Sequence, residues 1–392
     1  MGLRKIFLLI ISIIIIILFI SQTFFKIFYE YKRPEKLGLY MYMYYFTEKP
    51  LPWNYTYLFD RVKTAHIDII LPFIIDSRGY AYYNSTIVPK NEAFFEKYYE
   101  MYGYGRDPLK DLIDMAHDRN ISVWIWFTTT RVCREILEKH RDWACVSVEN
   151  KSCLEEPIKP YNLYSINPAN PDARKYILNI LEEVVSKYNV DGIVFQDDLG
   201  FPIGYDYSSI SKRLFMNRYG ITSIDWPKDV LENGRYHDKW VEWRIEVITE
   251  FIGELYFTVK KHRNIVVGAA VSYNLEWSRN TLAVDWIKWV EKEYVDFITP
   301  MLYHRDLNQL EQWIQIEYKD ILNMVKKIDE KIKVYASIGG SLLNTGNMPP
   351  REWVDAIKYA VNGGSKYVLI FADICVDKSN AWNEIGKYME RK

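Results

Sequence analysis

The chain has 392 residues, 49% hydrophobic and 26% charged, with a formal net charge of -1, a balance that excludes disorder and implies a globular fold with a large core. A charge so near zero, with no Lys/Arg cluster interleaved with aromatics, excludes a field that gathers polyanions, and no nucleic acid partner is expected. The 32 Tyr and 13 Trp stand out: amphipathic rings stack on sugar faces while their polar tips bond hydroxyls, although most rings must serve the core.

Residues 6–20 (IFLLIISIIIIILFI) carry no charge and follow Arg4 and Lys5, the layout of a secretory signal or signal anchor. No small-x-small cleavage site follows, so a retained transmembrane helix is expected, and with its aromatic flank the run reaches the ~20 residues needed to span. Residues 1–36 are read as membrane anchor and linker. Residues 37–392 are read as one domain, somewhat longer than the ~250 residues of a typical barrel. Lys26, Lys32, Arg33 and Lys36 compete with Arg4 and Lys5 for the cytoplasmic side. Four sequons, at Asn54, Asn84, Asn120 and Asn150, favour an extracellular domain on the cell membrane. Cys133, Cys145 and Cys153 share one stretch and Cys375 lies near the end; an oxidising exterior would allow one or two disulfides, with no pairing assignable. The spacings are not C-x2-C and the six His are scattered, so no metal is expected.

Beyond the linker, β-rich apolar runs alternate with amphipathic ones, the pattern of repeated βα units. Strands are expected at residues 37–45, 66–73, 122–127, 192–196, 266–272, 297–302, 333–337 and 367–371. Helices are expected at 108–117, 171–188, 238–261, 284–292, 307–328, 350–362 and 381–390. Eight strands with intervening helices predict a (β/α)8 TIM barrel. Long insertions at 128–169 and 198–236 follow the third and fourth strands, on the face where barrel active sites are built, and predict a walled cleft.

The fourth strand ends in Gln196, Asp197 and Asp198. Neighbouring side chains on a strand point to opposite faces, so one carboxylate faces the barrel mouth while the other is held by loop or backbone donors. A carboxylate beside another has its pKa raised, as a general acid requires; the competing reading is a capping or Arg-paired structural role. Gln196 and Asp206, in the loop that follows, are candidates for substrate contact, Asp206 as a further carboxylate for which core or rim packing is at least as good an explanation. Past the fifth strand, Glu276 is a second candidate carboxylate, weighed against a solvated loop glutamate, with Asn274 and Trp277 beside it as binding candidates. Tyr303 and His304 follow the sixth strand and are read as binding hydroxyls or tuning an acid, whereas Arg305 and Asp306 are read as a surface pair. Trp126 and Tyr42 sit near strand ends, where packing is at least as good an explanation. Gly339, Gly340 and Ser341 offer either a phosphate cradle or, more commonly, a turn before a helix.

Residues 165–174 (SINPANPDAR), a helix, and residues 190–198 (VDGIVFQDD) together resemble the family-10-like glycosyl hydrolases and the hydrolase domain of bacterial poly-β-1,6-N-acetylglucosamine processing proteins. Residues 268–273 (GAAVSY) and 294–303 (YVDFITPMLY) are similar to that group's fifth and sixth strands, and the likeness covers most of the chain from residue 37. The resemblance implies catalytic roles for Asp197 and Asp198. Gln196 stands where those enzymes usually have His, and their deacetylase domain is absent. Barrel hydrolases with glutamates on strands four and seven fit less well, since strand seven here ends without a carboxylate. The function implied is an anchored, extracellular glycosidase acting on a polysaccharide, amino-sugar-containing or related, with no cofactor. Asp197 or Asp198 is the general acid, and a second carboxylate or the substrate's own N-acetyl group completes the chemistry. The alternatives are a catalytically inactive glycan-binding barrel and a phosphate-handling barrel.

Overall fold

The computed structural model describes residues 32–45, 51–304, 311–340 and 348–390. The expected anchor at residues 6–20 lies outside them, as do Arg305, Asp306 and Ser341. Among the described residues no helix is long and apolar enough to cross a membrane.

Eight parallel strands form the barrel: β1 (Lys36–Tyr42), β2 (Ile69–Phe73), β3 (Ser122–Phe127), β4 (Gly192–Phe195), β5 (Val266–Ser272), β6 (Phe297–His304), β7 in two pieces (Lys333–Val334 and Ala336–Gly340) and β8 (Tyr367–Phe371). Each pairs with the next, and β8 returns to β1 with Leu369 opposite Gly38, which closes the sheet. The outer helices are α1 (Tyr55–Thr64), α2 (Pro108–His117), α3 (Pro171–Lys187), α4 (His237–His262), α5 (Trp286–Glu291), α6 (Tyr318–Ile328), α7 (Pro350–Asn362) and α8 (Trp382–Met389). Their starts are written locally. Asp107 accepts from the amides of Leu109 and Lys110 with Pro108 in the first turn of α2; Asn170 does the same for Asp172 and Ala173 ahead of Pro171 in α3. In each, the side-chain oxygen satisfies amides that lack a helical partner, and proline occupies a position where no N–H is needed.

The structure departs from the expected boundaries where the backbone turns. His66 adopts φ 53° and breaks the run before β2, which therefore starts at Ile69 rather than at 66. β1 ends at Tyr42, and Tyr44–Tyr45 pairs antiparallel with Leu51–Pro52 instead of prolonging it. The insertion at 198–236 holds a helix, Ser209–Tyr219, capped by Ser208 and ended by Gly220 at φ 63°. Only Ser211 and Phe215 of that helix are buried, so it shows no apolar stripe in the sequence.

Aromatic rings fill the barrel. Low in it, Trp124 packs 5.3 Å from Phe297 and 6.3 Å from Tyr367, with Tyr335 stacked on Tyr367 at 4.5 Å. Two glycines make room: a Cβ at Gly268 would stand 2.3 Å from the Phe297 ring, and one at Gly192 would stand 2.8 Å from Trp124. Above them Trp126 packs 4.3 Å from Phe73, 5.2 Å from Tyr40 and 5.5 Å from Phe371. The interior is a packed core, which leaves chemistry to the mouth.

At that mouth the loops after β3 and β4 are tied together. Val148 donates to the Gly204 carbonyl at 3.2 Å and Tyr207 to the Val146 carbonyl at 2.8 Å. Of the sequons, Asn54, Asn120 and Asn150 are exposed, while Asn84 is half-buried with its amide donating to the Arg106 carbonyl at 3.3 Å. All four cysteines are buried as thiols.

Candidate active site

β3 runs into Thr128, Thr129, Thr130 and Arg131, and β4 runs into Gln196, Asp197 and Asp198. Asp198 turns onto the threonine run. It accepts from Thr128 Oγ1 at 2.6 Å, Thr129 N at 3.0 Å, Thr129 Oγ1 at 2.9 Å, Thr130 N at 3.0 Å and Arg131 N at 3.3 Å. With the Thr130 hydroxyl at 3.3 Å, six donors on one carboxylate saturate its lone pairs, so Asp198 fastens the end of β4 to the end of β3.

Asp197 is open to the barrel mouth but stands low among protein atoms. Its carboxyl is raised above the ordinary carboxylate range, first by this desolvation and then by the Asp198 charge, with Arg131 and the Gln196 amide opposing the shift. Three tyrosines come within electrostatic reach of it: Tyr40, Tyr42 and Tyr303. Burial pushes all three phenols up, so they stay neutral donors. Tyr303 lies 3.0 Å from Ser337 Oγ and stacks on Phe371 at 4.9 Å. The Tyr40 hydroxyl is buried beside Thr299 and Ser337, without a hydrogen bond of good geometry among the described residues. An exposed carboxyl that is easier to protonate than an ordinary carboxylate, within electrostatic reach of three neutral phenols, can hand a proton to a leaving oxygen.

The remaining candidates are distributed as follows. Gln196 is half-buried, and its Oε1 finds no partner among the described residues. Glu276 is exposed in the first turn of a short helix, Leu275–Leu282. Asn274 caps that helix, accepting from Trp277 N at 2.9 Å, and Trp277 is 46% exposed. His304 ends β6 opposite Gly340. Asp206 is 0% exposed; it accepts from Val146 N at 2.8 Å, Ser208 Oγ at 2.8 Å and the Ser211 hydroxyl. Burial raises its carboxyl against these hydrogen bonds. That placement makes Asp206 a brace between the two loops, out of reach of a sugar at the surface. Trp126 and Tyr42 belong to the packed aromatic layer.

Two further carboxyls at strand ends escape the sequence reading. Asp76, three residues past β2, is buried and accepts from Arg78 N, Tyr80 N and Tyr82 Oη. Asp373, two residues past β8, is 0% exposed. Tyr42 N donates to its Oδ1 at 3.4 Å, its Oδ2 finds no partner among the described residues, and burial pushes the carboxyl up to about 8. The signal available for both is position alone, a carboxylate within three residues of an expected strand end. Among the described residues no group of three His, Cys, Asp or Glu side chains is arranged to hold a metal ion.

Residues 54–355 match the sequence model of the family described as glycosyl hydrolase-like 10. The chain belongs to this family. The glycosyl hydrolase-like 10 match takes in β2 to β7, including Asp197 and Asp198, and it agrees with the resemblance carried by residues 165–174 and 190–198. Glycosyl hydrolase DigH of Escherichia coli strain K12 is 27% identical over 284 residues, covering 62% of this chain and 56% of that one. Glycosyl hydrolase YngK of Bacillus subtilis strain 168 is 24% identical over 289 residues, covering 69% and 51%. The chain thus spans about half the length of the curated relatives it matches. Among solved structures, the PgaB (BpsB) glycoside hydrolase domain from Bordetella bronchiseptica aligns with a TM-score of 0.66 at 14% identity, covering 91% of this chain and 99% of that one. An α-L-fucosidase isoenzyme 2 from Paenibacillus thiaminolyticus aligns at 0.63 and 12% identity, covering 90% and 48%. At such identities the likeness shows that this glycosyl hydrolase-like 10 chain shares the barrel fold.

Proposed function

We propose that this glycosyl hydrolase-like 10 member hydrolyses glycosidic bonds in a polysaccharide, with Asp197 as general acid. The observation that carries the reading is the division of labour at the end of β4. Asp198 is saturated by the threonine run, while Asp197 is left open at the mouth with a raised pKa. Glu276 is the second carboxylate in this reading, as base or nucleophile; with an N-acetylated sugar, the substrate's carbonyl takes the nucleophile's part. Gln196, Asn274, Trp277, Tyr303 and His304 are assigned to sugar contact, the exposed Trp277 ring as a stacking platform. An amino-sugar polymer is the substrate class favoured, on the VDGIVFQDD motif and the barrel shared with the PgaB domain. The chain works outside the cell, held by residues 6–20. The uncharged run behind Arg4 and Lys5 supports this, as do the exposed Asn54, Asn120 and Asn150. No cofactor enters the chemistry.

The test is reducing-end release from a panel of polysaccharides, including acetylated and deacetylated β-1,6-glucosamine polymers, by the full chain in detergent and by Asp197→Asn. Cleavage by the parent that is lost in the variant supports the assignment. Binding by both proteins with cleavage of no polymer replaces it with a catalytically inactive glycan-binding barrel.

A further inference from the structure

The loop after β3 doubles back on itself at residues 145–153. Val146 and Ser152 face each other in an antiparallel bridge. On either side of it, Ser147 N donates to the Lys151 carbonyl at 2.8 Å and Cys153 N to the Cys145 carbonyl at 2.9 Å. That register sets Cys145 directly opposite Cys153, with both side chains on one face. Opposed residues at such a hydrogen-bonded position have Cα atoms about 5.5 Å apart, inside the ~4.4–6.8 Å that a disulfide spans without moving the backbone. The two thiols already meet as hydrogen-bond partners, and both are fully buried. The Cys153 thiol also donates to the Ser165 carbonyl at 3.2 Å. The other cysteines lie elsewhere: Cys133 precedes the helix Arg134–Lys139 and sits against Glu135, and Cys375, in the helix Asp373–Lys378 after β8, neighbours Tyr42.

We propose that Cys145 and Cys153 form a disulfide as the chain folds in an oxidising compartment, and that this bond pins one wall of the barrel mouth. The oxidant is a second disulfide, that of oxidised glutathione or of a thiol–disulfide oxidoreductase. One cysteine thiolate attacks it and displaces a thiolate, which takes up a proton. The other cysteine, losing its own proton, attacks the mixed disulfide and displaces the second thiol. Two protein thiols become one S–S bond and the oxidant's disulfide becomes two thiols. Both sulfurs are shut from solvent in the finished fold, so the exchange belongs to the folding chain, before the hairpin is covered. The bond would act on the mouth because the hairpin is fastened to the loop that starts at Asp197. Val146 N donates to Asp206 Oδ1, Val146 accepts from Tyr207, and Val148 donates to Gly204. This inference stands apart from the choice of substrate and from catalysis itself.

The test uses the full chain, refolded in a mixture of oxidised and reduced glutathione, then unfolded in N-ethylmaleimide without reductant and mapped by mass spectrometry. Two cysteines, Cys133 and Cys375, are expected to be alkylated, with the peptides holding Cys145 and Cys153 joined and about 2 Da lighter than the two thiols. Prior reduction should give four alkylated cysteines. Alkylation of all four without reductant, or a link that includes Cys133 or Cys375, overturns the pairing. In Cys145→Ser three cysteines should be alkylated; fewer would show a different partner for Cys153. Trypsin should cut after the exposed Lys151 several-fold faster in that variant than in the oxidised parent, and equal rates would remove the pinning role.

Discussion

Asp198 accepts two hydrogen bonds from Thr129, from its amide at 3.0 Å and its hydroxyl at 2.9 Å, and this contact holds one of two adjacent carboxylates against the end of β3. The other, Asp197, is left exposed at the end of β4. Removing the two carboxylates one at a time should therefore give two different failures.

Asp198→Ala leaves the amides of Thr129 and Thr130 without their acceptor and the Thr128 hydroxyl without its partner. Unmatched donors of this kind cost about 3 kcal/mol or more together. Thermal unfolding should show a drop of several degrees alongside any loss of activity. An unchanged melting temperature with lost activity would mean that Asp198 acts on substrate instead of bracing the strand ends.

Asp197→Asn keeps the side-chain shape and should leave the melting temperature near that of the parent, while cleavage slows by about 10²–10⁴-fold, the usual worth of a general acid. An acid works only while protonated, so the parent's rate should fall as pH rises through the raised pKa of Asp197. Arg131 opposes that rise; Arg131→Gln removes a positive charge that favours the ionised form. The alkaline limb of the rate profile should then move to higher pH, and a limb that stays put would separate Arg131 from the acid.

Asp373 makes stability depend on pH. Its carboxyl is raised from 3.8 to about 8 in the folded chain, so between these values it is neutral when folded and ionised when unfolded. Folding therefore loses stability progressively as pH climbs from about 4 to about 8, and the penalty is constant above that. Asp373→Asn retains an acceptor for Tyr42 N and abolishes this slope. Urea melts should show the variant more stable at pH 8, on the order of a few kcal/mol, and no more stable at pH 4. Parallel profiles for parent and variant would rule out a neutral Asp373.

Gly79→Ala should destabilise the chain by more than about 2 kcal/mol in chemical denaturation. Gly79 holds φ +84°, and a Cβ there would stand 2.1 Å from the backbone of Val132 and Cys133. The loops after β2 and β3 meet at that point, and a backbone neighbour cannot rotate away as a side chain can. A variant as stable as the parent would show that the two loops separate at little cost.

The barrel was legible because parallel strands covered on both faces read as unbroken apolar runs. At Ser122–Phe127, Val266–Ser272 and Tyr367–Phe371 the expected and observed strands coincide, and α2 and α7 coincide as well, their starts marked by Pro108 and Pro350. The presence of a carboxylate pair at the end of β4 was equally a local fact, as was the family motif around it. Which member of the pair meets solvent was not local. Alternation along a strand says that Asp197 and Asp198 diverge, but the choice between them was made by Thr128, Thr129 and Thr130, some 70 residues earlier in the chain. Asp206 could be read from the sequence either as a further carboxylate or as packing, and Val146, Ser208 and Ser211 close around it as a brace. Asp373 carried no motif, and the facing of Cys145 and Cys153 depended on a hairpin that spacing alone does not specify. Periodicity and motifs report what a residue's neighbours in sequence demand of it; burial, hydrogen-bond saturation and pKa depend on neighbours in space, and those exist only once the barrel has closed.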